Sequence, residues 1–247
     1  MENIKKEFVE ACNECLKTTP EDENLSFPHS LPICILDAVY SIGIRYKSAR
    51  TNWCKYTEHY NIKSDVMSNH ENDEPDKTEH TISDFLNNFR KINDFDKFLE
   101  ETGMTRQRTS PRNGILKIEA CVKVAEIMNQ HGINTVTDFR LYKNKEALDR
   151  DILSVRGQGS GIMLKYLYML AGYSNLCKPD RMMHRFVKRY YPDAKESEIQ
   201  KLLESAVDNL KGNYPNMTVR WLDNAVWKYE KALEASKRRS KKNKLKE

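Results

Sequence analysis

Between residues 153 and 192 the chain reads LSVRGQGSGIMLKYLYMLAGYSNLCKPDRMMHRFVKRYYP, a stretch holding Gly157, Gly159, Gly161 and Gly172, four of its nine glycines. A G-x-G between two helices permits a tight turn with positive φ and leaves backbone N–H groups uncovered. At the start of the next helix such groups favour an anion, because the positive end of the dipole lies there too. Arg156 before the turn and Lys165 after it add positive charge, and from 156 to 189 seven basic residues face one acidic residue. Phosphate binding is the chemistry within reach; the plainer use of the same glycines is a close helix–helix connection. The one acidic residue is Asp180, which follows Pro179 at the opening of a helix predicted over 180–190. Asp is among the best residues for an N-cap, and amide donors at a helix start favour a carboxylate. Cys12 and Cys15 form a C-x-x-C, but no second close pair of cysteines completes a four-ligand site and the six histidines are scattered, so no metal is expected.

The segment V-R-G-Q-G-S-G, 155–161, followed by a helix and then by K-P-D-R-M-M-H-R-F-V, 178–187, resembles the helix-hairpin-helix DNA glycosylase superfamily. In that family a hairpin of the form L-P-G-V-G is followed some twenty residues later by an Asp, with an Arg five positions beyond. Val155, Gly157 and Gly159 take the hairpin positions, Asp180 the aspartate and Arg185 the arginine. Two outlying segments are also similar: R-Q-R-T-S-P-R-N-G-I-L-K-I-E-A at 106–120 and R-W-L-D-N-A-V-W-K-Y-E at 220–230. The resemblance spans residues 30–230. It implies a hairpin that binds a phosphate of double-stranded DNA through backbone amides, and an aspartate that serves excision of a flipped base. Members that also cut the strand place a lysine where this chain has Gly161, and no cysteine follows Cys177 to build the iron–sulfur cluster of some members. A monofunctional enzyme without a cofactor is therefore implied, although hairpins of this family can hold a monovalent cation on backbone carbonyls.

Hydrolysis of an N-glycosidic bond develops oxocarbenium character on the sugar, which a nearby carboxylate stabilises while orienting water. On this reading Asp180 is the catalytic residue, and Arg156, Gly157, Gly159, Gly161, Lys165, Arg108, Lys117 and Arg185 contact DNA. A flipped base needs an aromatic or apolar pocket, for which the helix pair at 39–60 offers Tyr40, Arg45, Tyr46 and Trp53. Two rivals stand beside it. One is a non-catalytic helix-hairpin-helix module for DNA attachment; the other is a lyase using Lys165 or Lys178. Which base is removed is open, and bulky modified bases of foreign phage DNA, a defensive role, are one alternative to housekeeping repair.

The elements that must position these residues are helices. Apolar residues recur at helical spacing almost throughout, as in Leu31, Ile35, Ala38, Val39 and Ile42, and strand-like alternation is absent, so the expected class is all-α. Helices are predicted over about 2–17, 31–44, 47–60, 81–103 as two, 111–131, 135–152 as two, 160–172, 180–190, 195–211 and 216–235. The resemblance implies two helical subdomains with the substrate in a cleft between them. Residues 1–29 carry a helix that packs with the C-terminal subdomain, and 30–174 form a helical barrel subdomain with the helix-hairpin-helix at about 145–172. Residues 175–235 form the C-terminal subdomain. Residues 61–80, six acidic against two basic with almost nothing apolar, read as a flexible insertion, and 236–247 as a disordered basic tail.

Charge follows the same division. The net +5 resides in the last twelve residues, seven of them Lys or Arg and one Glu; the rest of the chain has one more acid than base. With 39% hydrophobic and 31% charged residues the chain suits a globular protein with a real core. No charge-free stretch reaches the ~18–20 apolar residues of a membrane span, and MENIKKEFVEACNECLK has no signal-peptide core. The expectation is a cytoplasmic, nucleoid-associated monomer with reduced cysteines.

Overall fold

The computed structural model describes residues 4–19, 27–28, 30–44, 46–63, 67–68 and 78–244, with side chains for all of these but 27–28, 67–68 and 241–244. Among these the chain is all-α: twelve helices, plus one two-residue antiparallel pairing of β1 (Phe27–Pro28) with β2 (Met67–Ser68). The helices are α1 (Lys6–Leu16), α2 (Leu31–Tyr40), α3 (Tyr46–His59), α4 (Ile82–Ile92), α5 (Phe95–Thr102), α6 (Lys117–Gln130), α7 (Val136–Leu141), α8 (Lys145–Ser154), α9 (Ile162–Leu170), α10 (Arg181–Val187), α11 (Glu196–Leu210) and α12 (Val219–Lys244). Two compact units result, one of Met1–Leu25 with Tyr173–Glu247 and one of Ser26–Gly172.

The Ser26–Gly172 unit is organised around α2, LPICILDAVY, in which every residue is buried. A helix apolar on all sides has no face for water and must be wrapped; α3, α6 and α9 pack on it. Its ends are closed by side chains from elsewhere. Ser30 caps the N-terminus by accepting from Ile33 N, and Leu31 N–H donates to Glu79 Oε1 at 3.0 Å. The same oxygen accepts from Val136 N at 2.9 Å, so one carboxylate closes the starts of α2 and α7. At the other end Lys117 Nζ donates to Tyr40 O at 2.9 Å and Ile42 O at 2.7 Å. These are carbonyls a helix end leaves without intrahelical partners.

The helix expected from 111 starts at 117 instead. Residues 107–117 fold back on themselves through an Arg108–Leu116 bridge and the bonds Thr109 N to Ile115 O and Lys117 N to Gln107 O. Gly114 sits so close to Ser110 that an added Cβ would lie 2.2 Å from its backbone nitrogen. Of the segment 61–80 read as a flexible insertion, 64–66 and 69–77 lie outside the described residues. Its far end is built into the unit, with Glu79 buried and His80 Nε2 2.8 Å from Tyr56 Oη.

In the other unit α1 packs against α11 and α12. Phe8 meets the rings of Phe186, Tyr190 and Tyr191 at 5.4–5.7 Å, and Trp221 Nε1 donates to Thr19 O at 3.1 Å. Cys12, Cys15 and Cys177 join this core, where burial pushes the Cys15 thiol up to about 12. The run read as a disordered tail is helical as far as Lys244. Lys and Arg are good helix formers, cations suit a helix C-terminus, and Arg238 pairs with Glu234 one turn back at 2.8 Å.

Candidate functional site

The G-x-G turn lies between α8 and α9. Gly157 has φ +92° and Gly161 φ +73°, conformations open to glycine and costly for other residues. Gly161 is the N-cap of α9 and offers no side-chain cap, so no side chain of the cap residue covers the first-turn amides. Arg156, Gly157, Gly159 and Ser160 are exposed, whereas Gln158 between them is buried. Its side-chain amide has no hydrogen-bond partner, an arrangement that costs about 1–3 kcal/mol in a native fold. The 107–117 loop braces the turn: Thr109 Oγ1 lies 3.5 Å from Arg156 O, and a Cβ on Gly157 would stand 2.4 Å from that same Oγ1. The carbonyls of Val155, Arg156 and Gln158 each accept a hydrogen bond from this chain. Each of these oxygens keeps a second lone pair, so these hydrogen bonds do not close the turn to a monovalent cation.

Asp180 belongs to the other unit, as the N-cap of α10, with Oδ1 accepting from Met182 N at 2.8 Å and Met183 N at 3.2 Å. Four of the residues before it, Ser174, Asn175, Cys177 and Lys178, are held by hydrogen bonds. Arg220 N donates to Ser174 O at 2.9 Å. Gln200 on α11 grips two points, its Nε2 donating to Asn175 O at 2.7 Å and its Oε1 accepting from Cys177 N at 3.0 Å. Lys178 N donates to Asp223 Oδ1 at 3.0 Å, and Asp180 N closes a tight turn over Pro179 by donating to Lys178 O at 2.7 Å. Asp223, partly buried on α12, is therefore one residue's backbone away from Asp180 and coupled to its charge. Burial, and after it the charge of Asp180, push the Asp223 carboxyl up to about 7. The Lys178 N–H bond and the Lys178 and Arg220 charges act the other way.

The residues singled out by sequence meet different fates. Lys117 is 1% exposed and its ammonium is spent on the end of α2, so it is no phosphate contact. Tyr40 is fully buried in α2 and cannot wall a pocket for a ligand. Tyr46 is 41% exposed, Trp53 is half-buried with the Arg50 guanidinium 5.8 Å over its ring, and Arg45 lies outside the described residues. Arg108 Nη1 donates to Gly114 O at 2.8 Å, bracing its own loop. Lys165 is half-buried on α9. Arg185 lies 4.0 Å from Glu230, a carboxylate 1% exposed that also pairs with Arg189.

Asp223, Gln200 and Glu230 were not singled out in the sequence, although two of them leave a trace there. Val219, Leu222 and Val226 mark the buried stripe of α12, and Asp223 and Glu230 fall on that stripe at i, i+3 and i+4 spacing. A carboxylate on an apolar stripe is the signal. Gln200, a polar residue beside the apolar face of α11, carries none.

An all-α chain with a braced glycine turn in one unit and a carboxyl pair in the other is what fold and site define. The chain belongs to the family described as a domain of unknown function (DUF8548), whose model matches residues 6–231. No curated protein and no solved structure matches it. Among the described residues no helix is long and apolar enough to cross a membrane.

Proposed function

We propose that the chain is a monofunctional DNA glycosylase that hydrolyses the N-glycosidic bond of a flipped-out damaged or modified base, with Asp180 as its catalytic carboxylate. The observation that carries this reading is a second carboxyl group, Asp223, which accepts the Lys178 N–H at 3.0 Å in the turn that leads into Asp180. An aspartate that only caps a helix has no use for a neighbour whose ionisation its own charge opposes. A carboxyl whose proton is held by burial and a neighbouring charge, as that of Asp223 is, is a mark of acid–base and electrostatic sites. In the reaction the bond from C1′ to the base nitrogen breaks and water oxygen bonds to C1′; the water gives up a proton and the departing base takes one up. The carboxylate of Asp180 offsets the positive charge that grows on the sugar. The exposed residues Arg156, Gly157, Gly159 and Ser160, ahead of an α9 N-terminus that no cap side chain covers, suit a DNA phosphate. Where strand-cutting members of the resembled superfamily carry lysine, Gly161 holds φ +73°, a backbone that a lysine would strain.

The test is mass spectrometry of free bases released from a panel of oxidised, alkylated, deaminated, mismatched and bulky-modified duplex DNAs, wild type against Asp180→Asn. Asn keeps an acceptor for Met182 and Met183, so the melting temperature should hold while release disappears. The bonds from Met182 N and Met183 N favour one other reading, a DNA-binding module in which Asp180 is a cap only. No release from any DNA, with Asp180→Ala costing ~1 kcal/mol of stability and nothing in DNA affinity, would establish it.

A further inference from the structure

We infer that Asp223 is the positioning residue for Asp180: it holds the turn that presents Asp180 by accepting the Lys178 N–H. This rests on the reading of Asp180 as the catalytic carboxylate and deepens it.

Three observations carry the inference. The turn at 178–180 is fixed from both sides of one residue, the Lys178 N–H going to Asp223 Oδ1 at 3.0 Å and the Lys178 carbonyl to Asp180 N at 2.7 Å. Moving Asp223 therefore moves the backbone from which Asp180 projects. Second, Asp223 comes from a different element. It lies on α12 between the buried residues Leu222, Ala225 and Val226, so its own backbone is anchored in the core. The hydrogen bond thus ties a loop to a rigid support, the arrangement an active-site residue needs. Third, the charged groups acting on Asp223 from the elements around it are Asp180 at the start of α10, Lys178 in the loop and Arg220 one turn back on α12. Burial and Asp180 outweigh the two cations and hold its proton up to about 7. The charge of Asp180 thus opposes the ionisation of Asp223.

The consequence is a site in which Asp180 carries the charge while Asp223, neutral, keeps the turn in place. When Asp223 ionises, the pair holds two like charges across one backbone residue. Their repulsion pushes Asp180 away from its working position, and a second negative charge faces the approaching phosphate backbone. Excision should therefore fall as pH rises through about 7.

The experiment uses the full chain and two readouts. Carboxyl carbon NMR titration compares wild type with Asp180→Asn. Asp223 should titrate near 7 in the wild type and at clearly lower pH once the Asp180 charge is gone; an unmoved midpoint would overturn the effect of Asp180 on Asp223. The second readout is the pH profile of base release from 5.5 to 9. Asp223→Asn keeps the acceptor for Lys178 N–H and loses the ionisation, so its alkaline fall should vanish. Asp223→Leu loses both, so kcat should drop about tenfold with KM unchanged, the scale of one lost hydrogen bond to a buried donor. An alkaline limb that survives in Asp223→Asn refutes the inference while leaving Asp180 catalytic. If no DNA releases a base yet the Asp223 midpoint moves in Asp180→Asn, the glycosylase reading fails and the coupled pair stands.

Discussion

Replacing Asp223 by Asn removes an ionisation and keeps a hydrogen-bond acceptor, which makes its effect on stability calculable. The carboxyl is raised from 3.8 to about 7 in the native protein. A tenfold change in proton affinity is worth about 1.4 kcal/mol, so the native state disfavours the ionised form by about 4 kcal/mol at most, and by about 2–4 once solvent at this partly buried group is allowed for. Below pH 4 both native and unfolded chains hold the proton and Asp223 costs nothing. Between 4 and 7 the unfolded chain releases a proton that the native protein keeps, so wild-type stability falls steadily relative to the variant; above 7 the whole deficit is present. Urea denaturation of the two proteins at pH 4, 5, 6, 7, 8 and 9 reads this directly. Asp223→Asn should match wild type at pH 4 and exceed it by about 2–4 kcal/mol at pH 8–9. A difference independent of pH, or a variant less stable than wild type at pH 8, would refute the assignment of a raised, charge-coupled carboxyl.

Lys117→Met should destabilise the protein by about 2–4 kcal/mol in urea, because the carbonyls of Tyr40, at the end of α2, and of Ile42 just beyond it lose a buried charged donor. The slope of DNA affinity against salt should stay unchanged, whereas a phosphate contact would lower it by about one. Gly157→Ala drives a Cβ to 2.4 Å from Thr109 Oγ1 at a φ of +92° and should cost about 2–3 kcal/mol in thermal or urea unfolding. Gly159→Ala meets nothing nearer than Leu153 O at 3.9 Å, so it should fold like wild type and lower affinity for duplex DNA in an anisotropy titration. Deleting 236–247 should leave unfolding within about 0.5 kcal/mol of wild type, since the ion pair it removes is exposed, and should flatten the salt dependence of DNA binding.

Most of the helices were legible because their signals are local. Ser30 and Pro32 mark the start of α2, and the pause at Asn93–Asp94 splits 81–103 into α4 and α5. What was not legible depends on contacts distant in sequence. The start of α6 was set too early because Ile115 and Ile118 continue the helical period, while the fold-back of 107–117 is decided by Gly114 against Ser110. Lys117 looked like a surface charge; its role is set by a helix end seventy-five residues away in the chain. Asp180 and the glycine turn stood out by residue type and spacing. Asp223 did not, because its significance comes from Lys178 and Asp180 meeting α12. The helical continuation past 235 carries no apolar pattern from which it could be read.

The enclosure of α2 has a kinetic counterpart. Every one of its residues is covered by other helices, so its amides can meet solvent only after α3, α6 or α9 has lifted away. They should be among the slowest in the Ser26–Gly172 unit to exchange hydrogen, reporting its full opening rather than local fraying. The same helix, exposed in a partly unfolded chain, is ten nearly unbroken apolar residues with a single carboxylate, Asp37, to keep it in solution. Loss of its cover thus converts the most protected part of the unit into its strongest site for aggregation.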